Sequence, residues 1–171
     1  MRFDRLVVGQ VLAANPASSV RSPKHSVRKC KTPVLAAEEA RALLDSINPS
    51  WLIGLRDRAL IALMVYTFAR VGAALKMRIE DVYTQGRRTW VRLHEKGGKR
   101  HEMPAHRNLG ESLRAYIDVA GLARDKKGVL SRTARGRPGQ LFDMPMSQPD
   151  AWRMIERRAR PASAPGSVIT P

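Results

Sequence analysis

LRDRALIALMVYTFARVGAALKM, Leu55 to Met77, is the stretch around which the rest of the chain is organised. Three charged residues open it, Arg56, Asp57 and Arg58, and Ala59 to Phe68 then run with almost no polar break. A helix that is apolar on nearly every side belongs at the centre of a domain rather than on its surface. The run stops at Arg70, and Val71-Gly72-Ala73-Ala74-Leu75 follows as a short helix to about Lys76. An arginine carried to a turn by a buried helix is costly to place unless an anion meets it. Arg70 is therefore the first candidate site residue.

Upstream, Ala37 to Ile47 places Ala40, Leu43, Leu44 and Ile47 at the spacing of an amphipathic helix, and Asn48-Pro49-Ser50 breaks it. After Met77 the period changes. Ile79 to Tyr83, Thr89 to His94 and Arg100 to Met103 read as short strands joined by turns at Gln85-Gly86-Arg87 and Lys96-Gly97-Gly98-Lys99. A Gly-Gly pair permits the positive φ that a tight hairpin needs. Trp90, Arg92 and His94 then share one face of the second strand, with Val91 and Leu93 on the other. Leu109 to Leu122 returns to helix with Leu109, Leu113, Tyr116, Ile117 and Ala120 as its buried stripe. Asp125 to Gln140, basic and glycine-rich, reads as a loop. Ser147-Gln148-Pro149-Asp150 has the spacing of a capping box and starts a helix to about Arg160. The fold expected is mainly α with a small three-stranded antiparallel β-sheet.

The ends differ in composition. Residues 2–14 read as a short helix with Phe3, Leu6 and Val7 on one side, closed by Asn15-Pro16. From 18 to 34 the chain carries Arg21, Lys24, Arg28, Lys29 and Lys31 without one acid, the pattern of a basic linker that can lie along phosphates. Residues 161–171 have no charge and no periodicity, and read as a tail disordered in isolation.

Thirty-one Lys+Arg against 15 Asp+Glu give a formal charge of +16. That imbalance points to polyanions, nucleic acid first. No apolar run approaches the roughly 20 residues that cross a bilayer, so no membrane is expected. The single cysteine, Cys30, cannot pair within the chain and fits a reducing, cytoplasmic setting. No Cys/His pattern is spaced for zinc.

Two cations stand out by context, Arg70 after the buried helix and Lys96 at the glycine tip of the hairpin. Taken singly, each reads as an ordinary helix-end or turn charge. In order, with the elements between them, they are more specific. LRDRALIALMVYTFARVGAALKMRIEDV resembles the first arginine box of the tyrosine recombinase (phage integrase) family. WVRLHEKGGKRHEMPAH resembles that family's β2–β3 hairpin, and KTPVLAAEEARALLDSI the start of its catalytic domain. The resemblance covers roughly Lys31 to Arg160. It implies a catalytic-domain-like fold over 35–160, incomplete, with 1–17 as the remnant of a core-binding domain and 18–34 as the interdomain linker. It also implies that Arg70 clamps the scissile phosphate, that Lys96 protonates the departing 5′ oxygen, and that no metal or nucleotide takes part.

The departures matter as much. Ala73 stands where most members of that family carry an acid, three residues after the arginine. Nothing in the chain is read as matching that family's H-x-x-R box, the His/Trp that follows it, or its nucleophilic tyrosine, and Tyr66, Tyr83 and Tyr116 read as core, strand and helix-face residues. The chain thus reads as a DNA-binding fragment of a site-specific recombinase, cut at both ends, without strand cleavage of its own. The alternative is a non-catalytic DNA-binding regulator or assembly partner. Double-stranded DNA and other recombinase protomers are the partners expected. Arg21, Lys24, Arg28, Lys29, Lys31, Lys99 and Arg100 are the candidate DNA contacts, and Arg92 and His94 join them unless they pack on the strand face.

Overall fold

The computed structural model describes residues 2–17, 35–95, 97–135 and 140–162. The basic linker at 18–34, Lys96, and the tail from 163 onward lie outside the described residues. The chain divides into two compact units, Met1–Pro33 and Val34–Pro171. In the first, helix α1 (Arg2–Val8) is shorter than expected. Gly9 follows it and Gln10 takes a left-handed φ of 57°, with Val11 N–H returning to the Leu6 carbonyl at 2.9 Å. That turn ends the helix well before Asn15-Pro16.

The second unit is built on the apolar stretch. Helix α2 (Ala37–Asp45) buries Ala40, Leu43 and Leu44, and its first turn is closed by the Glu39 carboxylate accepting from Ala36 N–H at 2.8 Å. Helix α3 (Leu52–Thr67) is buried on all sides: Leu55, Ala59, Leu60, Ile61, Ala62 and Leu63 all belong to the core. Five consecutive buried positions, Ala59 to Leu63, cover more than a full helical turn, which only a surrounded helix can sustain. Gly54 makes the α2–α3 approach possible, since a Cβ there would lie 2.0 Å from the Asn48 carbonyl oxygen. The short α4 (Val71–Leu75) follows.

The sheet has order β1 (Val82–Gln85), β2 (Arg88–His94), β3 (Arg100–Pro104), all antiparallel. Along β2, Thr89, Val91 and Leu93 are buried while Trp90, Arg92 and His94 are half-buried on the opposite face, as the alternation requires. Ile79–Asp81 forms a 3-10 turn rather than the start of β1. Asp81 decides this, because its carboxylate accepts from Arg78 N–H at 2.9 Å and winds the chain tighter. Helix α5 (Arg107–Val119) lays Leu109, Leu113, Tyr116 and Ile117 against α3, and Ala120 lies only half-buried just beyond its end.

The expected loop at Asp125 to Gln140 is corrected. Residues Arg132–Arg135 form β4, paired antiparallel with β5 (Gln140–Pro145). The segment before it is also held, with Ile79 N–H bonding the Gly128 carbonyl and Leu130 N–H the Met77 carbonyl. Glycine and charge hid a strand that is ordered by pairing with β5, just after it in the chain. Helix α6 (Gln148–Ala162) starts at the expected box: the Ser147 hydroxyl accepts from Asp150 N–H at 3.2 Å and donates to its carboxylate at 2.6 Å. It runs two residues past Arg160. Ala151 and Met154 are buried, whereas Trp152 is exposed.

Tyr116 closes the core against the β4 side. It is 1 % exposed, and its hydroxyl donates to the Leu130 carbonyl at 2.9 Å. Burial pushes its ionisation up to about 12, because the phenolate would be stranded away from water. A raised folded pKa means that the folded state holds its proton longer. The stability this adds is complete below pH 10 and is lost as pH rises from 10 to 12. The slope is about 1.4 kcal/mol per pH unit. Denaturant titrations of Tyr116→Phe across that window should lose this part of the slope, at a neutral-pH cost of about 1–2 kcal/mol for the orphaned carbonyl. An unchanged alkaline slope would show that Tyr116 is not what resists ionisation.

Candidate functional site

Arg70 sits at the N-cap of α4 with extended backbone (φ −63°, ψ 142°), and its carbonyl accepts from Ala73 and Ala74 N–H at 2.8 and 3.0 Å. The chain reaches it through Phe68, which takes a left-handed φ of 54° with its ring 91 % exposed. A non-glycine residue there costs on the order of 1 kcal/mol, and the exposed ring returns nothing in packing. The turn redirects the chain so that Arg70 is exposed, with no capping hydrogen bond of its side chain. The expectation that burial makes Arg70 expensive is therefore corrected: helix α3 is buried, but its arginine leaves the core at Phe68. Ala73 is buried and offers no carboxylate beside Arg70.

The costly arginine is Arg56, one of the three charged residues that open the apolar stretch. Arg56 is 4 % exposed and Asp57 is fully buried. Asp57 Oδ1 accepts from Arg56 Nε at 3.0 Å and Nη2 at 2.6 Å, and Oδ2 accepts from Arg158 Nε at 3.0 Å and Nη2 at 2.8 Å. Arg56 Nη1 adds a bond to the Arg132 carbonyl at 2.9 Å. One carboxylate thus ties the start of α3 to α6 and to β4. Those partners lie 76 and 101 residues away in sequence, so no local pattern announces them.

The hairpin tip is built as expected. Gly97 and Gly98 take φ of 82° and 75°, and Glu95 N–H bonds the Lys99 carbonyl at 2.8 Å. Lys99 and Arg100 beside it are exposed. Lys96 itself is outside the described residues, as are Arg21, Lys24, Arg28, Lys29 and Lys31. Arg92 and His94 face acids on the sheet. Arg92 Nε donates to Glu102 Oε1 at 2.6 Å, directly across the ladder, and its guanidinium lies 5.1 Å from the Tyr83 ring centroid. Arg92 holds the Glu102 carboxyl below the usual carboxylate range, and Tyr83 O–H donates to the same group at 2.9 Å. His94 Nε2 lies 3.1 Å from Asp81 Oδ1.

All three tyrosine hydroxyls are engaged. Tyr66 accepts from Asn108 Nδ2 at 3.2 Å with its ring stacked on His106, and Tyr83 and Tyr116 are bonded as described. An H-x-x-R spacing does occur at His25-Ser26-Val27-Arg28, ahead of the arginine box and outside the described residues. Among the described residues there is no cluster of His, Cys, Asp and Glu able to hold a metal. No helix among them is long and apolar enough to cross a membrane. Sequence reading missed a group of arginines, Arg87, Arg88, Arg107 and Arg114, that line one cleft. The doublet at the β1–β2 turn and the seven-residue spacing on α5 were the available signals.

Comparison with known proteins agrees with this architecture. The model of the phage integrase family matches residues 33–166. Tyrosine recombinase XerD of Mycobacterium leprae is 33 % identical over 162 residues, covering 89 % of this chain and 48 % of the relative. Tyrosine recombinase XerC of Myxococcus xanthus is 34 % identical over 119 residues, covering 70 % and 38 %. The crystal structure of XerA recombinase superposes with a TM-score of 0.61 at 22 % identity, over 80 % of this chain and 46 % of that one. XerH recombinase bound to a palindromic difH substrate, in a post-cleavage complex, gives 0.57 at 21 % identity over 75 % and 35 %. The chain spans half or less of the length of these relatives. Its buried helix, its arginine turn and its glycine-tipped ribbon, matched across residues 33–166, make it a member of the phage integrase family of tyrosine recombinases.

Proposed function

We propose that this chain binds double-stranded DNA and carries the first part of a phosphoryl-transfer site, without cutting DNA by itself. The observation that carries the proposal is Arg70, set outside the core by the turn at Phe68 with its side chain uncommitted as a cap. Phosphoryl transfer spreads charge over equatorial oxygens, and a planar guanidinium fork meets two of them at once. Lys96, which precedes Gly97–Gly98 in the sequence, is the general acid for the departing 5′ oxygen. Lys99, Arg100 and the linker cations Arg21, Lys24, Arg28, Lys29 and Lys31 contact the backbone. Arg92 and His94 reach DNA only by exchanging Glu102 and Asp81 for phosphate.

Cleavage needs a nucleophile and a second oxyanion donor. Loss of one such donor typically costs about 10²–10³ in rate. The three tyrosines are held in a stacked pair, a strand-face network and the core. Those engaged hydroxyls also favour a second reading, a non-catalytic DNA-binding partner that assembles with other recombinase protomers on DNA. Both are tested by incubating the chain with a labelled duplex and with a nicked suicide substrate. Retarded duplex without a covalent adduct is the expected result. A trapped protein–DNA adduct would overturn the absence of cleavage, and no retardation at low salt would sink the DNA reading.

A further inference from the structure

We infer that the arginine-lined cleft at the β1–β2 end of the sheet is a second docking site for nucleic-acid backbone phosphates, separate from the glycine tip. The inference rests on the DNA reading above and adds a place on the molecule to it. The cleft has a volume of about 660 Å³ and is lined by Arg87 on the β1–β2 turn, Arg88 at the start of β2, His106 and Arg107 at the start of α5, and Arg114 two turns along. Its one carboxylate, Glu111, is taken by Arg107 at 2.8 Å. Arg114 donates to the neutral Thr89 hydroxyl, through Nε at 3.1 Å and also through Nη2. Arg87 and Arg88 are exposed and form no ion pair with any described residue. Arg56, Arg92, Arg132, Arg153, Arg158 and Arg160 each meet a carboxylate. Other exposed arginines, such as Arg70, Arg100 and Arg124, also form no ion pair with any described residue; what sets Arg87 and Arg88 apart is that they line one concave wall with Arg107 and Arg114.

Position separates this cleft from the hairpin tip. Arg88 starts β2 opposite Gln85, two residues before the Trp90–Pro104 end of the β2–β3 ladder, and His94, Arg100 and the two glycines lie at the other end. Six residue steps at about 3.4 Å put roughly 20 Å between Arg88 and His94. Along α5, Arg107 and Arg114 fall on one face about 10.5 Å apart. At about 3.4 Å of axis per phosphate on one strand, that span accommodates two or three successive phosphates. A concave cationic wall focuses its field on such a target. An acidic protein segment would find the same charges, but protein interfaces are anchored by large buried side chains. The cleft supplies only Tyr66, Pro104 and Ala105 as apolar lining, and the Tyr66 ring is already stacked on His106 at 4.6 Å.

The test compares two double variants of the full chain with equal net charge, Arg87→Gln/Arg88→Gln in the cleft and Arg153→Gln/Arg160→Gln on α6. Affinity for a 30-base-pair duplex is titrated against salt for each, with melting curves to verify the fold. The cleft variant should bind about tenfold more weakly near 150 mM salt, with a log–log salt slope shallower by one to two, on any sequence. The α6 variant should change less than about twofold. Arg107→Gln, on the facing wall, should show the same change at about threefold and serves if the double variant does not fold. Equal losses in the two double variants, with wild-type binding intact, would reject the cleft and leave the DNA reading standing. No wild-type binding would remove both. Poly-glutamate binding that depends on Arg87 and Arg88 while duplex binding does not would assign the cleft to an acidic protein instead.

Discussion

Replacing Asp57 with alanine should lower the melting temperature by about 6–20 °C, the largest stability loss expected from any single charge in this sequence. Asp57 is fully buried and accepts four hydrogen bonds from two guanidiniums. Removing it leaves Arg56 in the core with only the Arg132 carbonyl, and frees Arg158 from its buried partner. Deleting one member of a buried ion pair costs about 3–5 kcal/mol, most of it the desolvation of what remains. A chain of this size has about 5–15 kcal/mol in total, so the variant should sit close to unfolding. Asp57→Ala combined with Arg56→Met and Arg158→Met should recover much of the loss, because apolar side chains of similar volume carry no such penalty. Thermal melts followed by circular dichroism read both. A single variant that melts within a few degrees of the wild type would mean that water reaches Arg56 and that the triad is not sealed.

On the binding side, duplex affinity should drop by about 10³ between 50 and 200 mM salt if some six phosphates are neutralised. The chain carries +16, and five of its cations lie in the acid-free linker. Each neutralised phosphate releases condensed counterions, so the loss is steep and independent of base sequence. Changing Lys24, Arg28, Lys29 and Lys31 together to alanine should weaken binding on every duplex and flatten the slope by up to about three to four. Fluorescence anisotropy with a labelled duplex at stepped salt measures both quantities. Affinity that is level across that range would end the polyanion argument, whatever its absolute value.

Much of the second unit was written locally. Unbroken apolar spacing placed α3 at the centre, two glycines set the hairpin tip, and alternation along β2 sorted Val91 and Leu93 inward from Arg92 and His94. The Ser147–Asp150 box marked where α6 begins. In each case the decisive contact is made within a few residues, so periodicity and turn chemistry carry it. The family pattern was legible for the same reason, since the arginine turn and the glycine ribbon are each short, contiguous stretches. Other features are long-range and have no local sign. The segment at 126–130 bonds to the Met77–Glu80 backbone about fifty residues earlier, and the β4–β5 pair beside it was hidden by glycine and charge, because its strands are ordered by each other.

The sequence by itself determined the buried helix, the end of its apolar run before Arg70 and the strong positive charge, because spacing and composition are properties of the chain before it folds. Only the tertiary structure decided which charges are buried and which are free. It took Arg56 into the core and left Arg70, Arg87 and Arg88 outside. The reason is physical: a guanidinium can be buried only where a carboxylate is brought to it, and Arg158 completes that arrangement from 101 residues away.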